Sequence, residues 1–265
     1  TDGVVRGPRI AWSIDETAGG ADIISGSGGA DIIVGGAGGD TIEGGSGDNL
    51  IAGDNARFDF RPVSGADGAT RVSLAQTTAP AVGASDTILS GSGNDLILGG
   101  AGGDTIAAGG GGNMVLGDEG LIDYGLDGNL RDIDFVESLS TTTSGGADHI
   151  TTGSGSDLVI GGRFGDTIDA GGGNNVVIGD SGRITAASAN APQLSWIPMT
   201  LGLIETLTDG DGGDDTIRTG LGTDIILGGH GSDAITANVG ETSSVLDRGN
   251  MVLGDSGWID YTRSD

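Results

Sequence analysis

The chain has 265 residues, of which 57 are Gly, about three times the usual share, and its 38 Asp and Glu outnumber 11 Lys and Arg. The formal charge of −27 at pH 7 disfavours binding to nucleic acid or anionic membranes. With 3% aromatic residues and no Cys, the chain has no material for a large aromatic core, a disulfide scaffold or a thiolate zinc site. Composition therefore argues against an ordinary enzyme fold and favours a cationic ligand.

A nine-residue spacing of acidic residues runs through the chain. Steps of nine from Asp22 reach Asp31, Asp40 and Asn49, and the order Asp, Asp, Asp, Asn recurs in three further runs. The last Asn comes 17 residues after its Asp, because a segment at 237–247 is inserted. The later runs are Asp86, Asp95, Asp104, Asn113; Asp148, Asp157, Asp166, Asn175; and Asp215, Asp224, Asp233, Asn250.

Each run closes with a Gly-Asp pair five residues after its Asn, and we interpret these Asp as caps at the end of each run. They are Asp54, Asp118, Asp180 and Asp255. Equivalent positions of successive runs lie 62 to 67 residues apart, which predicts four tandem units of about 64 residues. The predicted units are 1–64 with a roll at 19–57, 65–126 with a roll at 83–121, 127–190 with a roll at 145–183, and 191–265 with a roll at 212–258.

Between the runs, the sequence predicts β-hairpins. Strands at 57–60 and 71–74 flank a turn at 65–68, and strands at 121–124 and 130–135 flank a turn at 126–129. Both ends of the chain match parts of such a hairpin. We therefore expect the sequence to be a window from a longer array.

The nine-residue phrase combines turn residues with an oxygen ligand. In Gly35 to Glu43, Gly at the first, second and fourth places permits tight turns, and Asp40 at the sixth adds a carboxylate. The residues after each Asp predict a short strand whose middle Ile or Val points inward. Alternating loops and strands wind into a two-sheeted solenoid with 18 residues per turn, so Asp22 should stack on Asp40, Asp31 on Asn49, and Asp40 near Asp54. Stacked loops of this kind favour calcium, which accepts irregular oxygen cages.

Four phrases carry a family resemblance, at 26–34, 35–43, 99–107 and 161–169. They resemble the haemolysin-type, or repeats-in-toxin (RTX), calcium-binding nonapeptide. The resemblance implies an all-β, parallel β-roll fold, side-chain ligation of about 8 to 12 calcium ions by the sixth-position residues, and export followed by folding in external calcium. We add the closing Asp of each run as ligands, and note that Asn in the fourth phrase is a weaker, neutral ligand.

Side chains flanking the inward positions predict a covered sheet. They are apolar after the second Asp and the Asn, as at Leu96 and Leu98, but mostly polar after the first and third Asp, as at Thr87 and Thr105. An apolar face requires cover, so we expect the hairpins to fold over it and form a third layer; self-association through this face is the alternative. The large hairpin side chains are Phe58, Phe60, Tyr124, Phe135, Trp196, Trp258 and Tyr261.

The favoured function is a calcium-stabilised, non-catalytic spacer in a large secreted or cell-surface bacterial protein, such as an adhesin or surface-layer protein. The alternative is the secretion module of an exported toxin or hydrolase. Two other interpretations are that the Asp and Gly residues only form turns, or that they belong to the acidic surface of a halophilic protein. Neither explains why the Asp residues recur at one position of the nine-residue period. A hydrolytic function would depend only on His149 and His230. An ice-binding function would depend on a row of Thr that other residues interrupt. Expected partners are calcium and neighbouring repeats, with no nucleic acid or membrane insertion, and the fragment is expected to be a monomer.

Overall fold

The computed structural model describes residues 7–62, 69–139, 144–187, 198–207, 210, 212–241 and 249–262. Within these residues the secondary structure consists of β-strands, and no helix is of a length and hydrophobicity to cross a membrane. The strands are β1 (Ile10–Trp12), β2 (Ile23–Ser25), β3 (Ile32–Val34), β4 (Thr41–Glu43), β5 (Leu50–Ala52), β6 (Ala56–Pro62), β7 (Thr70–Thr77), β8 (Thr87–Leu89), β9 (Leu96–Leu98), β10 (Thr105–Ala107), β11 (Met114–Leu116), β12 (Gly120–Asp123), β13 (Phe135–Ser138), β14 (His149–Thr151), β15 (Leu158–Gly162), β16 (Thr167–Asp169), β17 (Val176–Asp180), β18 (Gly182–Ala186), β19 (Leu201–Thr206), β20 (Thr216–Arg218), β21 (Ile225–Gly229), β22 (Ala234–Thr236), β23 (Met251–Asp255) and β24 (Trp258–Asp260).

The described strands form three sheets of eight strands each. The open sheet is parallel, in the order β2-β4-β8-β10-β14-β16-β20-β22, and the covered sheet is parallel, in the order β3-β5-β9-β11-β15-β17-β21-β23. The hairpin sheet is antiparallel, in the order β1-β6-β7-β12-β13-β18-β19-β24. The chain is therefore an all-β protein built around a parallel β-roll, as the sequence predicts.

Two apolar cores separate the three layers. The inner core lies between the open and covered sheets and consists mainly of the predicted column of inward Ile and Val side chains, including Ile42, Ile97 and Val115. The outer core lies between the covered and hairpin sheets, where Leu98 of β9 and Phe58 of β6 are fully buried. The prediction that the hairpins cover the apolar sheet is confirmed.

Both parallel sheets continue from one run to the next. Strand β4 pairs with β8, with Thr41 opposite Thr87, and β5 pairs with β9, with Leu50 opposite Leu96. The long step between runs is taken by the hairpin, which leaves the roll and returns to add the next turn in register. The four runs thus stack as one roll, and the division into 64-residue units remains a prediction from the sequence.

Two hairpin predictions differ from the structure. The second strand of the second hairpin was predicted at 130–135 but lies at Phe135–Ser138, because Asp134 Oδ2 accepts hydrogen bonds from the backbone N–H groups of Leu126 and Asp127 and holds the preceding residues in a loop. Trp258 was expected to cover the apolar sheet but is 54% exposed on the terminal strand β24. The turn at 65–68, Trp196 and most of the insertion at 237–247 lie outside the described residues.

Candidate metal centre

Winding the chain into a roll sorts the sixth-position residues onto two edges. Loops that lead into the open sheet form the all-aspartate edge, which carries Asp22, Asp40, Asp86, Asp104, Asp148, Asp166, Asp215 and Asp233. Loops that lead into the covered sheet form the mixed edge, which carries Asp31, Asn49, Asp95, Asn113, Asp157, Asn175, Asp224 and Asn250. The linear order Asp, Asp, Asp, Asn therefore becomes one uniform column and one alternating column.

On both edges, one side-chain oxygen ties adjacent turns together. The backbone N–H of Asp22 donates to Oδ1 of Asp40 at 2.7 Å, and that of Asp31 donates to Oδ1 of Asn49 at 3.1 Å, as the stacking prediction requires. The same bond recurs at every later step of both columns. In each column, every sixth-position residue after the first therefore accepts a backbone hydrogen bond from the preceding turn with its Oδ1.

The predicted stacking of Asp40 near Asp54 is wrong. Asp40 N–H donates to Oδ1 of Asp86 at 2.6 Å, across 46 residues of sequence. The prediction assumed that a roll ends after each run, whereas the hairpin returns the chain to the same edge for the next turn. Asp86 thus continues the column that Asp22 and Asp40 begin.

On the all-aspartate edge, the second carboxylate oxygen is buried without a hydrogen-bond partner. This holds for Oδ2 of Asp40, Asp86, Asp104, Asp148, Asp166, Asp215 and Asp233. A buried carboxylate oxygen without a donor is energetically costly unless a proton or a cation accompanies it. Each of these oxygens therefore marks a place for a positive ligand.

Each of these oxygens faces a glycine, whose lack of a side chain leaves space beside the oxygen. A Cβ built on Gly99 would collide with Oδ2 of Asp104 and with the carbonyl oxygen of Gly117 in the next turn, so the two oxygens converge over the bare Cα. We call this arrangement a cradle. Seven cradles occur on this edge within the described residues, at Gly35, Gly53, Gly99, Gly117, Gly161, Gly179 and Gly228.

The first Gly of the phrase is thus required for space and not for a turn. In the phrase from Gly35 to Glu43, the second and fourth residues, Gly36 and Gly38, have positive φ of 102° and 119°. Gly35 is absent from the positive-φ residues, and its missing side chain makes room for Oδ2 of Asp40 and the carbonyl oxygen of Gly53. Sequence reasoning assigned all three Gly to turn geometry.

The first three closing Gly-Asp pairs do not cap separate rolls, because both parallel sheets continue beyond them. Gly53, Gly117 and Gly179 each provide the cradle for the first Asp of the next run. The Asp of the pair is a backbone clip: Asp54 Oδ1 accepts from Ala84 N–H at 3.3 Å and Oδ2 from Ala101 N–H at 2.6 Å. Asp118 and Asp180 accept equivalent pairs of backbone hydrogen bonds, and Asp255 is exposed on β23.

Burial raises the pKa of the stacked carboxyls. Desolvation is the largest cause, and neighbouring carboxylates add to it: the pKa is about 7 for Asp86, about 8 for Asp215, and about 10 for Asp104 and Asp148. On the mixed edge the pKa of Asp157 is about 6. Without a cation, Asp104, Asp148 and Asp215 of the folded all-aspartate edge therefore retain protons at neutral pH.

Sequence reasoning missed Ser90 and Thr152, which stand where the cradle glycine would be on the mixed edge. From the second run onward, the first place of each phrase on this edge alternates between Ser or Thr before Asp and Ala before Asn. This alternation is visible in the sequence. Its significance appears only when the loops are assigned to the two edges of the roll.

The family model for the RTX calcium-binding nonapeptide repeat (4 copies) matches residues 16–55, 81–115, 142–167, 151–183 and 209–241. These matches cover more than half of the chain, and the chain belongs to this family. No curated protein and no solved structure matches it. The chain is thus a calcium-binding repeat segment that binds multiple calcium ions, of a family found in secreted bacterial proteins.

The cradles fit calcium in their chemistry. Each combines a carboxylate oxygen with a backbone carbonyl oxygen, and hard cations such as calcium take oxygen ligands in irregular arrangements. Within the described residues no three acidic or His side chains gather into one compact group, because each cradle uses a single carboxylate and relies on the backbone for its other oxygen.

Replacing Gly99 with Ala is expected to lower the free energy of unfolding in calcium by about 2 to 4 kcal/mol, because the methyl group displaces two oxygens and removes a cation site. Gly110→Ala is the matched control in the next loop, since its Cβ would meet only Ser154 Oγ, at 3.8 Å. Chemical denaturation of both variants measures the difference. Equal stability of the two variants would contradict the assignment of Gly99 to a cradle.

Proposed function

We propose that this chain is a calcium-dependent, rigid spacer in a larger secreted or cell-surface bacterial protein, of the kind found in adhesins or surface layers. Calcium binds along the all-aspartate edge, where the Oδ2 atoms of the stacked Asp and the carbonyl oxygens of the cradle glycines are its ligands. Catalysis is not part of this function.

The observation that carries the proposal is the uninterrupted column of cradles along a roll that passes through all four runs. Each cradle lies between two successive turns, since Asp104 belongs to one turn and the Gly117 carbonyl to the next. A cation held there joins neighbouring turns and offsets the repulsion between stacked carboxylates. Seven such links in series favour a stiff element over a string of independent modules.

The covering layer supports the same function. Hairpin strands pair with strands of neighbouring hairpins, as β7 does with β12, and β13 with β18, so the hairpin sheet also crosses the boundaries between runs. All three layers therefore resist bending at those boundaries. Eight strands spaced about 4.8 Å apart give a stack about 34 Å long from the first strand to the last.

A calcium titration of the metal-stripped full chain tests this proposal. Calcium should cause a cooperative gain of far-ultraviolet circular dichroism typical of β-structure, and small-angle scattering should show one compact, unchanging shape above the transition. Magnesium at the same concentration is the control and should have little effect, because it requires octahedral geometry. A stripped chain that is already folded and indifferent to calcium would contradict the proposal.

A further inference from the structure

The mixed edge differs from the all-aspartate edge in what lies beside the second side-chain atom. On the all-aspartate edge, that atom is an oxygen without a donor, over a glycine. On the mixed edge, Oδ2 of Asp31 is also buried without a partner and converges with the Gly44 carbonyl over Gly26, and Oδ2 of Asp157 is buried without a hydrogen-bond partner. Between them, the positions of Asn49, Asp95 and Asn113 have hydrogen-bond donors beside them.

We infer that calcium binds along the all-aspartate edge of this roll, and that from Asn49 to Asn113 the mixed edge is closed by the protein's own hydroxyl and amide donors. This inference rests on the proposed calcium sites of the all-aspartate edge. It identifies Asn49, Ser90 and Asn113 as the groups that exclude calcium from this part of the mixed edge.

At Asp95 of the mixed edge, a hydroxyl takes the place of a cation. Ser90 Oγ lies 2.7 Å from Oδ2 of Asp95 and 2.8 Å from the carbonyl oxygen of Ala108 in the next turn. These are the same two kinds of oxygen that converge over Gly99 on the other edge. The hydroxyl thus sits between a carboxylate and a carbonyl that would otherwise face a cation.

Thr152 stands at the same place one unit later. Its Oγ1 donates to the carbonyl oxygen of Ala170 at 3.0 Å, whereas Oδ2 of Asp157 is buried without a hydrogen-bond partner, so here the hydroxyl satisfies only the carbonyl oxygen. Thr219 stands at the same place in the phrase of Asp224. A hydroxyl at this position is therefore a feature of three successive runs.

At Asn positions, the amide group itself supplies the donor. Asn49 Nδ2 donates to the carbonyl oxygens of Gly47 at 2.9 Å and Ser90 at 3.3 Å, and the latter belongs to the next turn. Asn113 Nδ2 makes the corresponding contacts with Gly111 at 3.4 Å and Thr152 at 3.5 Å. An N–H group directed at these carbonyl oxygens satisfies them without a metal and repels a cation.

The two edges also differ in the charge of their stacked side chains. Each Asn replaces an anionic side chain with a neutral one, so the mixed edge carries half as many stacked charges as the all-aspartate edge. Fewer carboxylates in a column need less neutralisation. The seven cradles of the all-aspartate edge and the one at Gly26 then predict at least eight calcium ions in the described part of the chain.

Two isosteric substitutions, nine residues apart, test the inference by calcium stoichiometry, measured on the full chain by equilibrium dialysis against calcium alone. Asp104→Asn, on the all-aspartate edge, should bind about one calcium ion fewer than the unmodified chain. Asp95→Asn, on the mixed edge, should bind the same number. Both side chains are almost fully buried, so burial does not distinguish them.

A gain of binding is the complementary test. Ser90→Gly removes the hydroxyl between Asp95 and Ala108 and should add about one calcium ion per chain. Ser92→Gly is the matched control in the same loop, because Ser92 is exposed and away from the cradle position, and it should leave the number unchanged.

The outcomes separate the inference from the function on which it rests. Equal calcium loss in Asp95→Asn and Asp104→Asn, or no gain in a folded Ser90→Gly, would overturn the inference and leave the proposed calcium-dependent spacer intact. An unmodified chain that binds no calcium would overturn the proposed function as well.

Discussion

In the absence of calcium, raising the pH from 5 to 9 is expected to unfold the chain. The carboxyls of the all-aspartate edge from Asp40 to Asp215 have raised pKa values in the folded state, about 10 for Asp104 and Asp148, compared with 3.8 for a free Asp side chain. Above pH 4 the unfolded chain loses these protons, whereas the calcium-free fold must keep them. The folded state then binds more protons than the unfolded state, so stability falls as pH rises.

The expected slope is steep. Each carboxyl that remains protonated only in the folded state lowers the free energy of unfolding by about 1.4 kcal/mol for every unit that the pH rises, from about pH 4 to its folded pKa. The contributions of Asp86 and Asp215 end near pH 7 and pH 8, while those of Asp104 and Asp148 continue to about pH 10. Because several carboxyls act together, the total loss is of the order of a whole domain's stability.

Thermal melting in calcium-free buffer at pH 5, 7 and 9, with and without excess calcium, measures this effect. The melting temperature should fall steeply with pH in the calcium-free series and change little in calcium, because calcium keeps the carboxylates ionised in the folded state. A calcium-free chain whose stability rises with pH would contradict the raised pKa values. Such a rise is the ordinary behaviour of exposed, ion-paired carboxylates.

Leu98→Ala is expected to destabilise the chain by about 2 to 5 kcal/mol, whereas Leu89→Ala should change stability by no more than about 0.5 kcal/mol. Both residues stand three places after the sixth-position Asp of their phrase, and both point outward from a parallel sheet. Leu98 is fully buried beneath the hairpin sheet, whereas Leu89 is 45% exposed on the open sheet.

Urea denaturation of both variants in excess calcium checks this prediction. The large loss for Leu98 should come with unchanged calcium stoichiometry, because the side chain touches the outer core and not the loops. Similar small losses in both variants would show that the hairpin sheet does not cover β9 in solution. That result would revive self-association as the role of the apolar sheet.

The repeating parts of the fold were predictable because they depend on local spacing. The nine-residue step places Ile42 and Ile51 in the inner core, and the 18-residue turn brings Asp22 onto Asp40. The apolar side chains outside the covered sheet, such as Leu96 and Leu98, also predict the covering layer, because an apolar sheet face cannot remain exposed to water. These features follow from periodicity and hydrophobicity alone.

The site itself was only partly predictable. The sequence identified Asp104 and its equivalents as oxygen ligands, but it gave the same role to Asp54 and Asn113. The structure places both oxygens of Asp54 on backbone N–H groups, and the amide of Asn113 on backbone carbonyl oxygens. Residue type and spacing do not reveal which partners a polar side chain finds in the next turn.

The β-roll, its inward Ile and Val column, its acidic loops and its preference for a cation all follow from the sequence, because each of these depends on residues within one 18-residue turn. How the four runs join, and which loops share an edge, depends on contacts between residues far apart in the chain. The step from Asp40 to Asp86 spans 46 residues and depends on a hairpin returning to the edge it left. That return sorts one linear pattern into an all-aspartate column and a column in which Asp and Asn alternate.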